Sequence, residues 1–290
     1  SEANEAAIKI ARKYHSSRSD PRDEIVSFTN SFHGRSLLNI SLGNSQMHRD
    51  GFEPLMPGIK QGKFNEISGL KNLITEKTAA VIVEPVQGEA GVISASTEFL
   101  RELRDLTCKK GTLLIIDEVQ SGVGRMGNIY GYMNYGIEPD IVTSAKGLGG
   151  GIPIGATLTT KVIGEVMQPG THGSTFGGNP IACAVANEVI NIISDKSFLK
   201  KVNEKEELFL DLLSELKEKG IFSDIRSSGL WIGCDLVDKN SNEVLNQAYT
   251  EGLILVSAGS NCLRLAPALN IEEKDIKEGV SLLKKVLLGN

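Results

Sequence analysis

At 290 residues, 40% hydrophobic and 23% charged, the chain can bury a sizeable core and reads as one large domain, or a large one with a smaller companion. A formal charge of -5 with scattered lysines and arginines leaves no basic stripe for nucleic acid, and no apolar run reaches the roughly eighteen residues of a membrane span. The four cysteines, Cys108, Cys183, Cys234 and Cys262, lie far apart without CxxC or Cys/His ligand spacing, so reduced thiols in an intracellular protein are expected and a metal site is not.

The chain opens on SEANEAAIKIARKY, where Ala3, Ala6, Ala7, Ile8, Ile10 and Ala11 recur at helical spacing. Ser1 stands where an N-cap would stand, Asn4 follows three residues later, and Glu2 and Glu5 occupy the first turn. The segment lacks a signal-peptide pattern, and a chain that begins at a helix cap is expected to have lost what preceded it. EIVSF, AAVIVEP, TLLIID, DIVTSAK and IGATLTT then follow as short apolar runs of strand character, separated by helical stretches such as 67–76 and 97–110. Runs without alternation predict strands buried on both faces, hence a mainly parallel sheet covered by helices and an α/β fold.

From about residue 180 the texture changes. A helix in IACAVANEVINII and a strongly charged one in KKVNEKEELFLDLLSELKEKG precede strands in GLWIGCDLV, LILVS and CLRLAP, and a helix over 272–287 closes the chain. The pattern predicts a large domain over 1–190 and a smaller α+β domain over 191–290, with the helical region 181–219 as hinge or linker.

Two charged residues sit at strand ends. Asp117 follows Leu113–Ile116 directly, so its carboxylate should emerge at the carboxyl end of a central strand, where open α/β sheets place ligands. Lys146, 29 positions later, lies between the DIVTSA strand and the four glycines of GLGGG. Taken singly, Asp117 could equally cap the next turn and Lys146 could be a solvated surface charge. Together, a strand-end acid and a lysine at a strand-to-glycine junction are what holding a pyridine-type cofactor requires. GLGGGI lacks the third small residue of a dinucleotide fingerprint, and no Walker loop, HExxH or GxSxG occurs.

The segments SFHGRS, IVEPVQGEAGV, LLIIDEVQSGVGRMG, SAKGLGGGIPIGA and HGSTFGGNP resemble, in order and spacing, those of the class III, pyridoxal-phosphate-dependent aminotransferases, and together cover most of residues 1–185. The resemblance implies the fold type I architecture and pyridoxal 5'-phosphate as cofactor. Lys146 matches the Schiff-base lysine that also shuttles the proton during transfer, and Asp117 the carboxylate that pairs with the pyridine nitrogen. Gln120 is similar to the residue near the phenolic oxygen. Val119 would pack on one ring face and Phe32 on the other, with His33 beside it; the plain alternative for Phe32 is a core aromatic. Ser1 falls in the family's phosphate loop at a helix start, without the glycine that precedes it there. Thr175, with Ser174 next to it, matches the threonine that reaches the cofactor phosphate of a second subunit, which implies a homodimer.

Arginine recognises carboxylate substrates through its planar fork. Arg35 looks like the family's α-carboxylate binder, and Arg264 like the arginine that takes the distal carboxylate of glutamate or 2-oxoglutarate. Glu89 matches the glutamate that pairs with this arginine when the other, non-acidic substrate is bound. Each also has a plain reading, as a surface ion pair, a strand-edge charge and a turn residue respectively.

Within the class, the lysine and threonine segments look most like acetylornithine aminotransferases. That likeness implies transfer of the terminal amino group of N2-acetyl-L-ornithine to 2-oxoglutarate in arginine biosynthesis. Ornithine, succinylornithine and 4-aminobutyrate remain alternative donors, and a truncated, non-catalytic homologue acting as a binding protein is the alternative of a different class. Such an enzyme is expected in a bacterial cytoplasm or a mitochondrial matrix.

Overall fold

A computed structural model describes residues 1–289. In chain order the elements begin with α1 (Glu2–Ser16), β1 (Glu24–Phe28), α2 (Leu37–Leu42), α3 (Gln46–Arg49), β2 (Ile59–Gly62), α4 (Leu70–Leu73) and β3 (Thr78–Val83). A short hairpin of β4 (Val86–Gln87) and β5 (Ile93–Ser94) leads to α5 (Thr97–Lys110), β6 (Leu113–Asp117), β7 (Ile141–Ser144), β8 (Ala156–Thr159) and α6 (Lys161–Gly164). The remainder is α7 (Pro180–Ile193), α8 (Lys196–Glu218), β9 (Phe222–Ser227), β10 (Ile232–Leu236), α9 (Ser241–Thr250), β11 (Val256–Ala258), β12 (Cys262–Leu265) and α10 (Glu273–Leu288). None of these helices is long and apolar enough to cross a membrane.

Contacts divide the chain into two units: residues 1–85, 95–123 and 130–192 form the first, and 86–94, 124–129 and the chain from Ile193 onward form the second. The sequence reading keeps 1–190 together. The two short segments join the later strands because main-chain and side-chain bonds tie them there: Gly259 N–H donates to Glu89 O at 2.8 Å, and Arg125 Nη1 donates to Leu230 O at 2.6 Å.

In the first unit the sheet order is β2-β1-β3-β6-β7-β8, parallel throughout except for β8, which runs antiparallel to β7. The mainly parallel α/β architecture expected from the apolar runs is therefore present. β3, β6 and β7 are buried at every position, and α1 packs Ala7, Ile8 and Ala11 into a core with Ile82, Ile115 and Ile141. The second unit carries an antiparallel sheet, β11-β12-β10-β9. Its core joins Phe209 and Leu213 of α8 to Phe222, Ile232 and Leu263 of the sheet and to Val280 and Leu283 of α10.

Among the elements the sequence reading omits are two strands without an apolar run. β2 is a half-buried edge strand reading IKQG, and β9 is an edge strand reading FSDIRS. The helix expected over 67–76 shortens to α4, because Ile74 turns extended (φ -87°, ψ 108°). The strand expected in LILVS begins only at Val256.

Candidate active site

Asp117 stands in register with Thr143 across the parallel pair β6–β7. Three residues after Thr143 the chain leaves β7 through Ala145, in extended backbone, and Lys146, at φ 46°. A side-chain-bearing residue seldom enters that left-handed region, and such strain gathers at functional sites. The two residues singled out by sequence thus leave the same edge of the sheet on neighbouring strands, Asp117 buried and Lys146 exposed.

The buried carboxylate is held by residues from three elements. Its Oδ2 accepts from His33 Nδ1 at 2.7 Å and from Asn4 Nδ2 at 2.8 Å, and its Oδ1 accepts the Val119 N–H at 3.0 Å. Asn4 Nδ2 also donates to His33 O at 2.7 Å, and Thr143 Oγ1 donates to Asn4 Oδ1 at 2.8 Å. Burial by itself would raise the Asp117 carboxyl. The hydrogen bond and electrostatic pull of His33, with the Val119 and Asn4 donors, outweigh it and hold the group below the usual carboxylate range. Asp117 is therefore a fixed negative charge whose Oδ2 is taken by two side chains while Oδ1 keeps acceptor capacity. The Val119 bond is also the turn-capping contact of the plain reading of Asp117.

Phe32 and His33 follow β1, and Glu84 follows β3, where the order β2-β1-β3 doubles back, the kind of switch point at which open α/β sheets bind ligands. Glu84 Oε2 accepts the Phe32 N–H at 3.0 Å and fixes this half-buried aromatic from below its backbone. The Phe32 ring meets His48 edge-on at 5.7 Å, and the Arg35 guanidinium lies 5.5 Å from its centroid. Ser1 is the N-cap of α1, yet its hydroxyl makes no cap bond; it accepts from Arg35 N at 2.9 Å instead. Gly34 makes that approach possible, since a Cβ there would meet Ser1 Oγ at 2.3 Å and the backbone is at φ 128°.

Gln120 Nε2 and Ser144 Oγ are buried without a hydrogen-bond partner among the described residues. Between Asp117 and Val119 sits Glu118, whose Oε2 accepts from Ser121 Oγ at 2.6 Å and whose Oε1 accepts the Tyr132 N–H at 2.7 Å. Burial pushes this carboxyl up to about 7. Ser174 and Thr175 lie apart from the Asp117 network, exposed in the turn before α7, where Phe176 is 80% exposed and Ile181 72%. In the second unit, Arg264 Nη1 pairs with Glu89 Oε1 at 2.9 Å.

The sequence reading leaves Asn4, Thr143, Glu84 and Glu118 without a role. For Asn4 a signal exists: it lies one helical turn before Ile8, a polar residue on the face that Ala7 and Ala11 bury. Thr143 is a polar residue inside β7, a strand buried at every position.

A sequence profile of the class-III aminotransferases matches residues 1–287. The chain is 48% identical to the succinylornithine transaminase of Photorhabdus laumondii, over 99% of this chain and 73% of that one. It is 46% identical to the acetylornithine/succinyldiaminopimelate aminotransferase of Buchnera aphidicola, over 96% of this chain and 70% of that one. Among solved structures, the ornithine aminotransferase of Toxoplasma gondii superposes with a TM-score of 0.94 at 30% identity, covering 99% of this chain and 70% of its own.

Proposed function

Because the chain belongs to the class-III aminotransferases, enzymes that act through pyridoxal phosphate, we propose that it moves the terminal amino group of N2-acetyl-L-ornithine to 2-oxoglutarate. The products are N-acetyl-L-glutamate 5-semialdehyde and L-glutamate. The names of the bacterial relatives support an ornithine-type donor, and a cytoplasmic location accords with them. The observation that carries the reading is the ionised Asp117 carboxylate, anchored by His33, Asn4 and Val119 at the end of β6, beside the strand that delivers Lys146.

The residues present fit the cofactor. Asp117 offers a permanent acceptor for a ring N–H, and Gln120 Nε2, a buried donor with no partner among the described residues, is available to a phenolic oxygen. When bound, pyridoxal phosphate supplies the carbonyl that captures the amine and the ring that takes up electron density from the reacting carbon. Lys146 would hold the cofactor and move the proton at its Nζ from the substrate carbon. His33 and Asn4 keep the Asp117 charge in place, Phe32 and Val119 would bracket the ring, and Ser1 with the first N–H groups of α1 would take the phosphate.

Substrate charge is the second half of the proposal. Acetylornithine carries one carboxylate and 2-oxoglutarate two. Arg35 would bind the carboxylate common to both, and Arg264 the additional one. Glu89, which pairs with Arg264, would neutralise that guanidinium while the monocarboxylate is bound. Thr175 would complete the phosphate site of a second copy in a homodimer; its exposed turn, flanked by bare Phe176 and Ile181, supports that reading.

Two measurements test the proposal. Titration with pyridoxal phosphate should produce a visible absorption band that Lys146→Ala loses; a band unaffected by that change overturns the role of Lys146. Half-reaction kinetics should then rank acetylornithine above ornithine and 4-aminobutyrate, and a preference for 4-aminobutyrate defeats the substrate assignment. The 48% identity to a succinylornithine transaminase favours succinylornithine as the second reading, and the same series separates the two acyl donors.

A further inference from the structure

Three residues stand in one cross-strand row of the second unit: Arg226 of β9 is in register with Gly233 of β10, and Gly233 with Arg264 of β12. Register partners share a face of the sheet, so the two arginines flank a bare glycine. The turn between β4 and β5, which carries Glu89, lies on that bare position. A Cβ on Gly233 would stand 2.5 Å from Gly91 O, so only glycine admits the turn.

Each arginine grips this turn at a different point. Arg226 donates from Nε at 3.1 Å and from Nη2 at 2.8 Å to Gly91 O. Arg264 pairs with the Glu89 side chain itself at 2.9 Å. Arg226 is in turn held by Asp235, whose Oδ1 and Oδ2 accept from Nη2 and Nη1 at 2.7 and 2.5 Å, and by Asp224 Oδ2 at 2.9 Å from Nη1. The guanidinium therefore spends its fork on two carboxylates and directs what remains at one carbonyl two residues past Glu89.

We propose that Arg226 is a positioning residue: clamped by Asp235 and acting through Gly91 O above Gly233, it holds Glu89 against Arg264 and so sets the balance between monocarboxylate and dicarboxylate substrates. The inference rests on the reading of Arg264 and Glu89 given above. Its logic is competition. A dicarboxylate must displace Glu89 from Arg264, whereas a monocarboxylate needs Glu89 to stay. Loosening the turn weakens Glu89 as a competitor, favouring glutamate and 2-oxoglutarate at the expense of the acyl-ornithine. Lysine cannot replace Arg226, because one ammonium cannot serve both Asp235 oxygens and the Gly91 carbonyl in fixed geometry.

The test is a double-mutant cycle on the holoenzyme, read as the ratio of kcat/KM for the glutamate half-reaction to that for the acetylornithine half-reaction. A ratio within one preparation does not depend on the fraction correctly folded. Arg226→Lys should raise it about tenfold, mainly through KM, the size expected for one charge-assisted hydrogen bond. Gly233→Ala, which displaces the same carbonyl from the other side, should move it in the same direction and stands in if Arg226→Lys does not fold. In a Glu89→Ala background neither change should move the ratio further. A ratio that shifts with Glu89→Ala but not with either variant, or that shifts additively, overturns the positioning role while the Glu89–Arg264 reading stands. A ratio indifferent to Glu89→Ala itself overturns that reading and the inference with it.

Discussion

Asn4, in the first turn of the first helix, donates a 2.8 Å hydrogen bond to the Asp117 carboxylate, 113 residues away at the end of β6. Its amide also holds the His33 carbonyl, and its oxygen receives Thr143, so one side chain joins α1, the loop after β1 and two central strands. Asn4→Ala would leave a buried carbonyl and part of a carboxylate without partners, and the Thr143 hydroxyl to its longer, 3.4 Å bond with Asp117 Oδ1. We expect a loss of about 1–3 kcal/mol in urea unfolding and weaker pyridoxal phosphate binding by titration. Asn4→Asp, which places a second negative charge beside Asp117, should be worse than Asn4→Ala in both measurements.

Glu118 gives the apoprotein a defined pH response. Its folded-state value, raised to about 7, lies above the ordinary value of 4.5, so the folded state binds the proton more tightly than the unfolded one. The sign follows from linkage: this group's contribution is fully present below about 4.5, is lost as pH rises to about 7, and then stays level. The span corresponds to roughly 3 kcal/mol at most. Glu118→Gln keeps an acceptor for the Tyr132 N–H and should flatten stability between pH 5 and 8, measured as urea midpoints. An unchanged slope would show that another group controls it.

Gly34→Ala should disturb the site through backbone alone. The added methyl meets Ser1 Oγ and the residue is at φ 128°, so the His33–Arg35 loop must move. We expect about 1–3 kcal/mol of destabilisation and a fall in kcat/KM, checked by thermal melting and steady-state kinetics.

Subunit complementation tests the trans role of Thr175. Lys146→Ala and Thr175→Ala should each be nearly inactive, yet after unfolding and refolding together they should recover up to about a quarter of wild-type activity. The mixed dimer would hold one site with both native residues. If Thr175 serves its own subunit, mixing restores nothing.

Much of the first unit was legible because its strands are buried on both faces. LLIID and DIVTS read as strands, and their parallel pairing brings Asp117 and Lys146 to one edge as their positions at strand ends imply. The polar edge strands β2 and β9 carry no such signal, since a strand paired on one side and half exposed needs no apolar run. The same holds for the site: a motif names Asp117, whereas Glu84 under Phe32 and Asn4 beside His33 become meaningful only once distant segments are adjacent.

The sequence by itself determined the class of chemistry, because a strand-end acid, a lysine before glycines and an ordered set of motifs are local patterns that survive in one dimension. Only the tertiary structure decided how the acid stays ionised and what holds the Glu89 turn. Asp117 is buried, and burial alone would neutralise it; His33, Asn4 and Val119 reverse that, from three places in the chain. Glu89 is held to Arg264 through a row of residues 226, 233 and 264 on three strands, an alignment set by register and not by spacing along the chain.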